Sequence, residues 1–153
     1  ELGLVDVAFA DASSTYLVAL GAGGEDALDD RGALRRLLSL AGVQTPCAQV
    51  RPAGLDQTNS AVVVDETYVL KLYRRIEPGP GIEAELLQEL ERASFTSTPR
   101  LRGRLDHGGA TLAIVTDYVA ALGDGWDLTA AALRRGDWEW LPERAGRLRP
   151  ATA

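Results

Sequence analysis

The sequence is poor in several residue types that often build functional sites. It has one histidine, one cysteine and no methionine, and only one of its 16 basic residues, Lys71, is a lysine. One cysteine excludes an internal disulfide, and together with one histidine it leaves no credible set of zinc ligands. Because there is no methionine, we predict that Glu1 is not a natural start and that the chain is a piece of a longer protein or one whose ends have been trimmed.

Charge and hydropathy exclude two further classes of protein. The formal net charge is −6 and the basic residues form no stripe, which argues against a nucleic-acid partner. No apolar run approaches the roughly 18 residues of a membrane span, and no signal peptide is visible. Since a single cysteine suits a reducing compartment, we predict a globular protein of the cytoplasm with no membrane partner.

The first third of the chain has the patterns of a hairpin and a helix. Residues Leu4–Ala8 and Thr15–Leu20 are β-prone and flank a short polar turn. A helix is predicted after Asp29 or Asp30 as N-cap and before Gly42, with one apolar face formed by Leu34, Leu37, Leu38 and Ala41.

The middle of the chain predicts more strands and a second helix. Three strands are expected at Ala48–Arg51, Ser60–Val64 and Tyr68–Tyr73, and two more around the turn at His107, Gly108 and Gly109. The helix follows Gly81, with an apolar stripe of Ile82, Leu86 and Leu90. This order predicts an α+β fold in which a helix packs on an antiparallel sheet.

The lone lysine lies inside one of these strands. Val69, Lys71 and Tyr73 share one face of it, and an ammonium group there costs free energy unless an anion meets it. One interpretation is a lysine that reaches water from an edge strand. The other is a pair with Glu85 on the following helix, the arrangement by which kinases hold ATP phosphates.

Two other segments allow a nucleotide to be considered. Short polar side chains that could cradle phosphate occupy the turn before the second middle strand, at Gln57, Thr58, Asn59 and Ser60. The strand "LAIVTDYV" breaks into a Gly/Asp-rich segment and could end in a hinge that contacts adenine. An ordinary polar turn and an ordinary strand end explain both features equally simply, and the GxGxxG and Walker A motifs are absent.

The run "DQTNSAVVVDETYVLKLYRRIEPGPGIEAELL", followed later by "GDGWD", resembles the N-terminal half of the maltokinases, members of the aminoglycoside-phosphotransferase-like kinase superfamily. The resemblance covers about residues 55–127. It implies a kinase-like N-terminal lobe preceded by a small α/β cap. The implied divisions are a partial cap over residues 1–46, a nucleotide-binding lobe over 47–122, and a linker with the start of a C-terminal lobe over 123–153.

The resemblance also implies a reaction, the transfer of the γ-phosphate of ATP to maltose. Lys71 would then hold the α- and β-phosphates, Glu85 would orient it, and the turn at residues 57–60 would cover the phosphates. The adenine hinge would be Asp117, Tyr118 and Val119. The catalytic Asp and the Mg²⁺ ligands of such kinases are expected in a further lobe, so we expect no catalytic residue or metal site here and no activity from this chain alone.

Two alternatives and one candidate partner stay open at this point. Glucosamine kinases share a DQTN-type loop and a DGWD segment, so the acceptor could be glucosamine or another sugar. A non-catalytic cap or regulatory domain would also lack a catalytic loop, because the single histidine, His107, precedes the hinge and is interpreted as a solvated turn residue. A trehalose-synthase-type enzyme is a further candidate partner.

Overall fold

The computed structural model describes residues 1–10, 12–53, 59–121 and 125–140. The chain divides into two compact units, Glu1–Tyr118 and Val119–Ala153. In the described residues, the first unit contains two helices and two antiparallel sheets. The predicted α+β class with antiparallel sheets is therefore confirmed.

The larger sheet of the first unit has five strands in the order β3-β4-β5-β8-β7, all antiparallel to their neighbours. Its strands are β3 (Val50–Pro52), β4 (Asn59–Val64), β5 (Tyr68–Tyr73), β7 (Leu101–His107) and β8 (Ala110–Asp117). The predicted hairpin turn between β7 and β8 is confirmed, because Gly108 and Gly109 adopt φ of 59° and 82° and His107 is exposed. The central strand of this sheet is β5, which carries Lys71.

The smaller sheet joins the start of the chain to a segment far along it. Its strands, in the order β1-β2-β6, are β1 (Leu2–Ala8), β2 (Ser13–Ala19) and β6 (Arg75–Ile76). The hairpin of β1 and β2 agrees with the sequence-based prediction. The two-residue strand β6 was not predicted, because so short a segment has no periodicity of its own.

Helix α1 (Arg31–Leu40) forms where its capping and apolar signals agree. The carboxylate of its N-cap Asp30 accepts hydrogen bonds from the backbone N–H groups of Gly32 and Ala33, at 2.7 and 3.2 Å. The chain leaves the helix through Gly42, whose φ of 89° suits glycine. Both ends of α1 and its apolar face are thus as predicted, with buried residues Ala33, Leu34, Leu37 and Leu38.

One hydrophobic core joins α1 to the five-stranded sheet. It contains α1 residues such as Leu34 and Leu38 together with Leu70 and Leu72 of β5, all four fully buried. The core therefore lies on both sides of the predicted boundary between residues 46 and 47. The division into a cap and a nucleotide-binding lobe stays a prediction.

Helix α1 also approaches the sheet edge closely at Gly103 on β7. A Cβ atom added at Gly103 would lie 2.2 Å from the backbone oxygen of Ala41, the C-cap of α1. The same oxygen accepts a hydrogen bond of 3.1 Å from the N–H of Arg104. Only glycine fits this contact, and it fixes the end of α1 against β7.

The carboxylate of Asp65 connects the turn between β4 and β5 to residues 45–49 by hydrogen bonds. Asp65 adopts φ of 52° and accepts hydrogen bonds from the Thr45 hydroxyl at 2.5 Å and from the N–H groups of Cys47 and Gln49 at 3.0 and 2.8 Å. The hydrogen bond from Thr45, followed by that from Gln49, lowers the pKa of the Asp65 carboxyl.

Helix α2 (Ile82–Arg92) is present, but the predicted face was wrong. Ile82 and Leu86, two members of the predicted stripe, are 82% and 56% exposed, whereas Ala84 is fully buried. The sequence offers several apolar spacings in this helix, and the small side chain of Ala84 allows the closest approach to its surroundings. Helix α2 is therefore rotated relative to the sequence-based prediction.

The second unit contributes helix α3 (Gly125–Arg134). Its buried residue is Ala132, and the side chain of Trp126 is exposed. Across both units, no helix within the described ranges has the length and apolar character that a membrane crossing requires.

Candidate functional site

The ammonium group of Lys71 projects from the central strand of the five-stranded sheet. Lys71 lies opposite Ala61 of β4 and Ile114 of β8, while the flanking Leu70 and Leu72 face the core. Because β5 has hydrogen-bonded neighbours on both sides, a lysine reaching water from a sheet edge is excluded. The side chain is 24% exposed, so its charge needs a partner.

A carboxylate and a phenol surround this ammonium group. Lys71 Nζ lies 2.9 Å from Glu83 Oε2, and the hydroxyl of Tyr73 donates to the same oxygen at 2.8 Å. Lys71 Nζ also lies 5.5 Å from the centroid of the Tyr73 ring, within the range of a cation–π contact. We call Lys71, Tyr73 and Glu83 the lysine cluster.

The predicted partner of Lys71 was Glu85, and the structure corrects it to Glu83. Residues two apart in an α-helix point about 200° apart, so these glutamates lie on opposite flanks of the buried Ala84. Both glutamates are exposed, and Glu83 is on the flank from which a carboxylate reaches Lys71 of β5. The error has the same origin as the wrong apolar stripe, since both follow from the rotation of α2.

Tyr73 is held in its protonated form. Burial of the ring, followed by the hydrogen bond to the negative Glu83, raises the pKa of the Tyr73 phenol well above its usual range. At neutral pH the hydroxyl is therefore a hydrogen-bond donor, and it points at a charge-bearing oxygen.

A cleft of about 260 Å³ opens beside the lysine cluster. Tyr73 and Glu83 line it together with Thr111 and the loop of residues 78–81, which precedes α2. Gly81 donates its N–H to Thr111 Oγ1 at 2.8 Å, and Thr111 donates to Asp106 Oδ1 at 2.9 Å. These bonds fix the start of α2 and hence the position of Glu83.

The predicted phosphate-covering turn is only partly described. Gln57 and Thr58 lie outside the described residues, while Asn59 and Ser60 are the first residues of β4 and not part of a turn. Ser60 Oγ accepts a hydrogen bond from Arg74 Nε at 2.9 Å. Arg74 also contacts Asp26 at 2.6 Å, so Ser60 belongs to a contact between the sheet and the start of the chain.

The first two predicted hinge residues lie at the end of β8. The carboxylate of Asp117 forms a bidentate ion pair with Arg102, with 2.5 Å from Nε to Oδ1 and 3.0 Å from Nη2 to Oδ2. The N–H of Asp117 donates to the carbonyl of Arg100 at 3.0 Å, and that of Tyr118 donates to the carbonyl of Thr67 at 2.8 Å. Both backbone donors are therefore already used by hydrogen bonds within the first unit.

The third hinge residue, Val119, begins the second unit and is exposed. The ring of Tyr118 lies under the guanidinium of Arg51, with 5.1 Å between Arg51 Cζ and the ring centroid. Adenine binding by Asp117, Tyr118 and Val119 stays a prediction.

Sequence reasoning missed two members of the lysine cluster as functional residues. Tyr73 shares a strand face with Lys71, and that alternation was a sufficient signal for it. Glu83 could not be distinguished from Glu85 without the orientation of α2. Among the described residues, no group of three His, Cys, Asp or Glu side chains is arranged to hold a metal ion.

No model of a known protein family matches this chain. The lysine cluster and the motifs of residues 55–127 are therefore the features that indicate a function.

Proposed function

We propose that this chain is the nucleotide-binding N-terminal part of an ATP-dependent sugar kinase of the cytoplasm, with maltose as the favoured acceptor. The observation that carries the proposal is the 2.9 Å contact between Lys71 Nζ, on a central strand, and Glu83, on the helix that follows. In a chain with 15 arginines and one lysine, the lysine occupies the position where a compact, mobile cation is useful for phosphate.

The magnitude of the ion pair supports a functional role for it. With side chains 24% and 44% exposed, the pair contributes only about 0–1 kcal/mol to folding. A pair of this strength leaves Lys71 able to exchange its contact with Glu83 for one with an anionic ligand. Glu83 would hold the ammonium in one place, and the phosphates of ATP would then meet a cation that is already oriented.

The donor set of the cluster fits a nucleotide phosphate better than a metal ion. Lys71 offers ammonium hydrogens, which phosphate oxygens accept, whereas Mg²⁺ needs oxygen ligands. In this proposal Mg²⁺ and the catalytic Asp belong to a second lobe, outside this chain. A trehalose-synthase-type enzyme is a proposed partner.

The complete reading frame provides the test. The intact protein is assayed for phosphorylation of maltose and of glucosamine by ATP, with the sugar phosphate identified by NMR. We expect maltose 1-phosphate, and we expect Lys71→Ala to lower kcat/KM by at least ~100-fold, the scale of losing a group that stabilises developing charge.

Two neighbouring glutamates supply a matched pair of variants. Glu83→Gln removes the charge that holds Lys71 and is expected to lower kcat/KM by about 10-fold or more. Glu85→Gln removes the same charge from the opposite flank of α2 and is expected to leave kcat/KM within about twofold. Both variants should unfold within about 1 kcal/mol of the wild type in urea, because the ion pair is partly exposed.

Two results would reject the proposal. Full activity of Lys71→Ala would show that the Lys71 ammonium group has no role in the reaction. The regulatory-domain alternative would be favoured if the intact protein phosphorylated no sugar and its reading frame had no catalytic loop of the His-Gly-Asp type after this segment. Preference for glucosamine over maltose would keep the kinase and change only the acceptor.

A further inference from the structure

The hydroxyl of Tyr73 and the ammonium of Lys71 share one oxygen of Glu83. The two distances, 2.8 and 2.9 Å, are both those of good hydrogen bonds. Tyr73 is therefore bound to the acid that holds Lys71, and its ring lies beside the same ammonium. This arrangement gives Tyr73 a route by which it can affect Lys71.

Glu83 needs such a second contact. Its side chain is 44% exposed, in the first turn of a helix whose N-cap, Gly81, supplies no side-chain hydrogen bond. An exposed glutamate held by one flexible lysine loses side-chain entropy for little gain and exchanges readily with water. The Tyr73 ring is partly buried and has few rotatable bonds, so its hydroxyl is a more rigid donor than the ammonium.

We propose that Tyr73 is a positioning residue for phosphoryl transfer: its hydroxyl fixes the Glu83 carboxylate, which in turn fixes the ammonium of Lys71. This inference rests on the proposed kinase function. The raised pKa of Tyr73 is consistent with it, because the phenol stays a donor over the neutral and mildly alkaline range.

The alternative is that Tyr73 only packs in the sheet. Tyr73→Phe separates the two roles, because it removes the hydroxyl and keeps the ring, including its contact with Lys71. Tyr16→Phe, on β2 of the smaller sheet, removes a hydroxyl outside the lysine cluster and is the matched control.

The kinetic test uses the intact protein with ATP and maltose. We expect Tyr73→Phe to lower kcat/KM by about 10-fold and Tyr16→Phe to leave it unchanged. On a Glu83→Ala background, Tyr73→Phe should cause no further loss, because the oxygen that accepts its hydrogen bond is gone. A wild-type kcat/KM for Tyr73→Phe, or losses that multiply in the double variant, would overturn the inference.

A second measurement does not need kinase activity. Urea unfolding of the wild type, Tyr73→Phe, Glu83→Ala and the double variant gives the coupling between the two side chains. We expect a coupling of about threefold or more in the unfolding equilibrium constant. No coupling would overturn the contact itself.

The two measurements separate the two proposals. An inactive wild type with clear coupling would reject the kinase function, and with it the positioning role, while the contact stands. An active wild type whose Lys71→Ala variant fails and whose Tyr73→Phe variant does not would reject only the positioning role.

Discussion

The close approach of α1 to β7 predicts that Gly103→Ala is strongly destabilising. The new Cβ would lie 2.2 Å from the carbonyl oxygen of Ala41 and 3.0 Å from Cγ2 of Val43. Real Cβ atoms essentially never come within 3.0 Å of another heavy atom, so the backbone must separate by about 1 Å. The Ala41 oxygen cannot move freely, because Ala41 is the C-cap residue of α1 and its oxygen accepts the hydrogen bond from Arg104.

Two costs combine in this variant. Forcing extra volume into a packed contact costs about 1–3 kcal/mol, and losing the Arg104–Ala41 hydrogen bond adds about 0.5–1.5 kcal/mol. We therefore expect Gly103→Ala to lower the free energy of unfolding by about 2–4 kcal/mol. For a domain of this size that corresponds to a fall in Tm of roughly 10 °C.

Urea unfolding followed by circular dichroism measures the change, and Gly3→Ala is the control. Gly3 lies on β1, and a Cβ there would meet nothing within 4 Å. Its replacement should be neutral or should stabilise by up to about 1 kcal/mol, because alanine reduces the freedom of the unfolded chain. Equal stability of the two variants would show that α1 does not approach β7 as described.

Two further predictions concern stability. Because the pKa of Asp65 is lowered by its hydrogen bonds, the stability it contributes is complete above the unfolded pKa of about 4 and is lost as pH falls through the lower folded pKa. Asparagine tolerates the same backbone conformation, so Asp65→Asn should weaken the fall in the free energy of unfolding between pH 7 and the acid transition, as measured in urea. An unchanged fall would contradict the hydrogen bonds to the Asp65 carboxylate. Leu34→Ala should lower the free energy of unfolding by about 2–5 kcal/mol because Leu34 is fully buried, whereas Leu40→Ala, on the exposed face of α1, should lower it by less than about 1 kcal/mol. Thermal melts that show similar losses of stability for both variants would contradict the assigned buried face of α1.

Local signals were sufficient for much of the fold. The Asp30 cap and the leucines of α1 point to one helix with one face, and β5 has the bounds that its apolar run predicts. The Gly108–Gly109 turn specifies its hairpin because both residues need positive φ. In each of these elements, the residues that determine the structure are neighbours in sequence.

The candidate site was less predictable because it depends on contacts between distant elements. Lys71 could be selected from the sequence, but its partner depends on the rotation of α2, which the sheet decides. Ile82 and Leu86 are regularly spaced although both are exposed, because periodicity alone does not say which face meets the sheet. The pairing of β6 with β2 likewise follows from where β5 ends and not from a local signal.

The shared core has a consequence for how the protein can be divided. Leu70 and Leu72 point away from the lysine cluster, into the layer that α1 and its leucines complete. A recombinant fragment beginning at residue 47 would keep Lys71 and Glu83 but would leave that layer open to water. The first 46 residues therefore complete the hydrophobic core behind the strand that carries Lys71, and their removal would destabilise that strand.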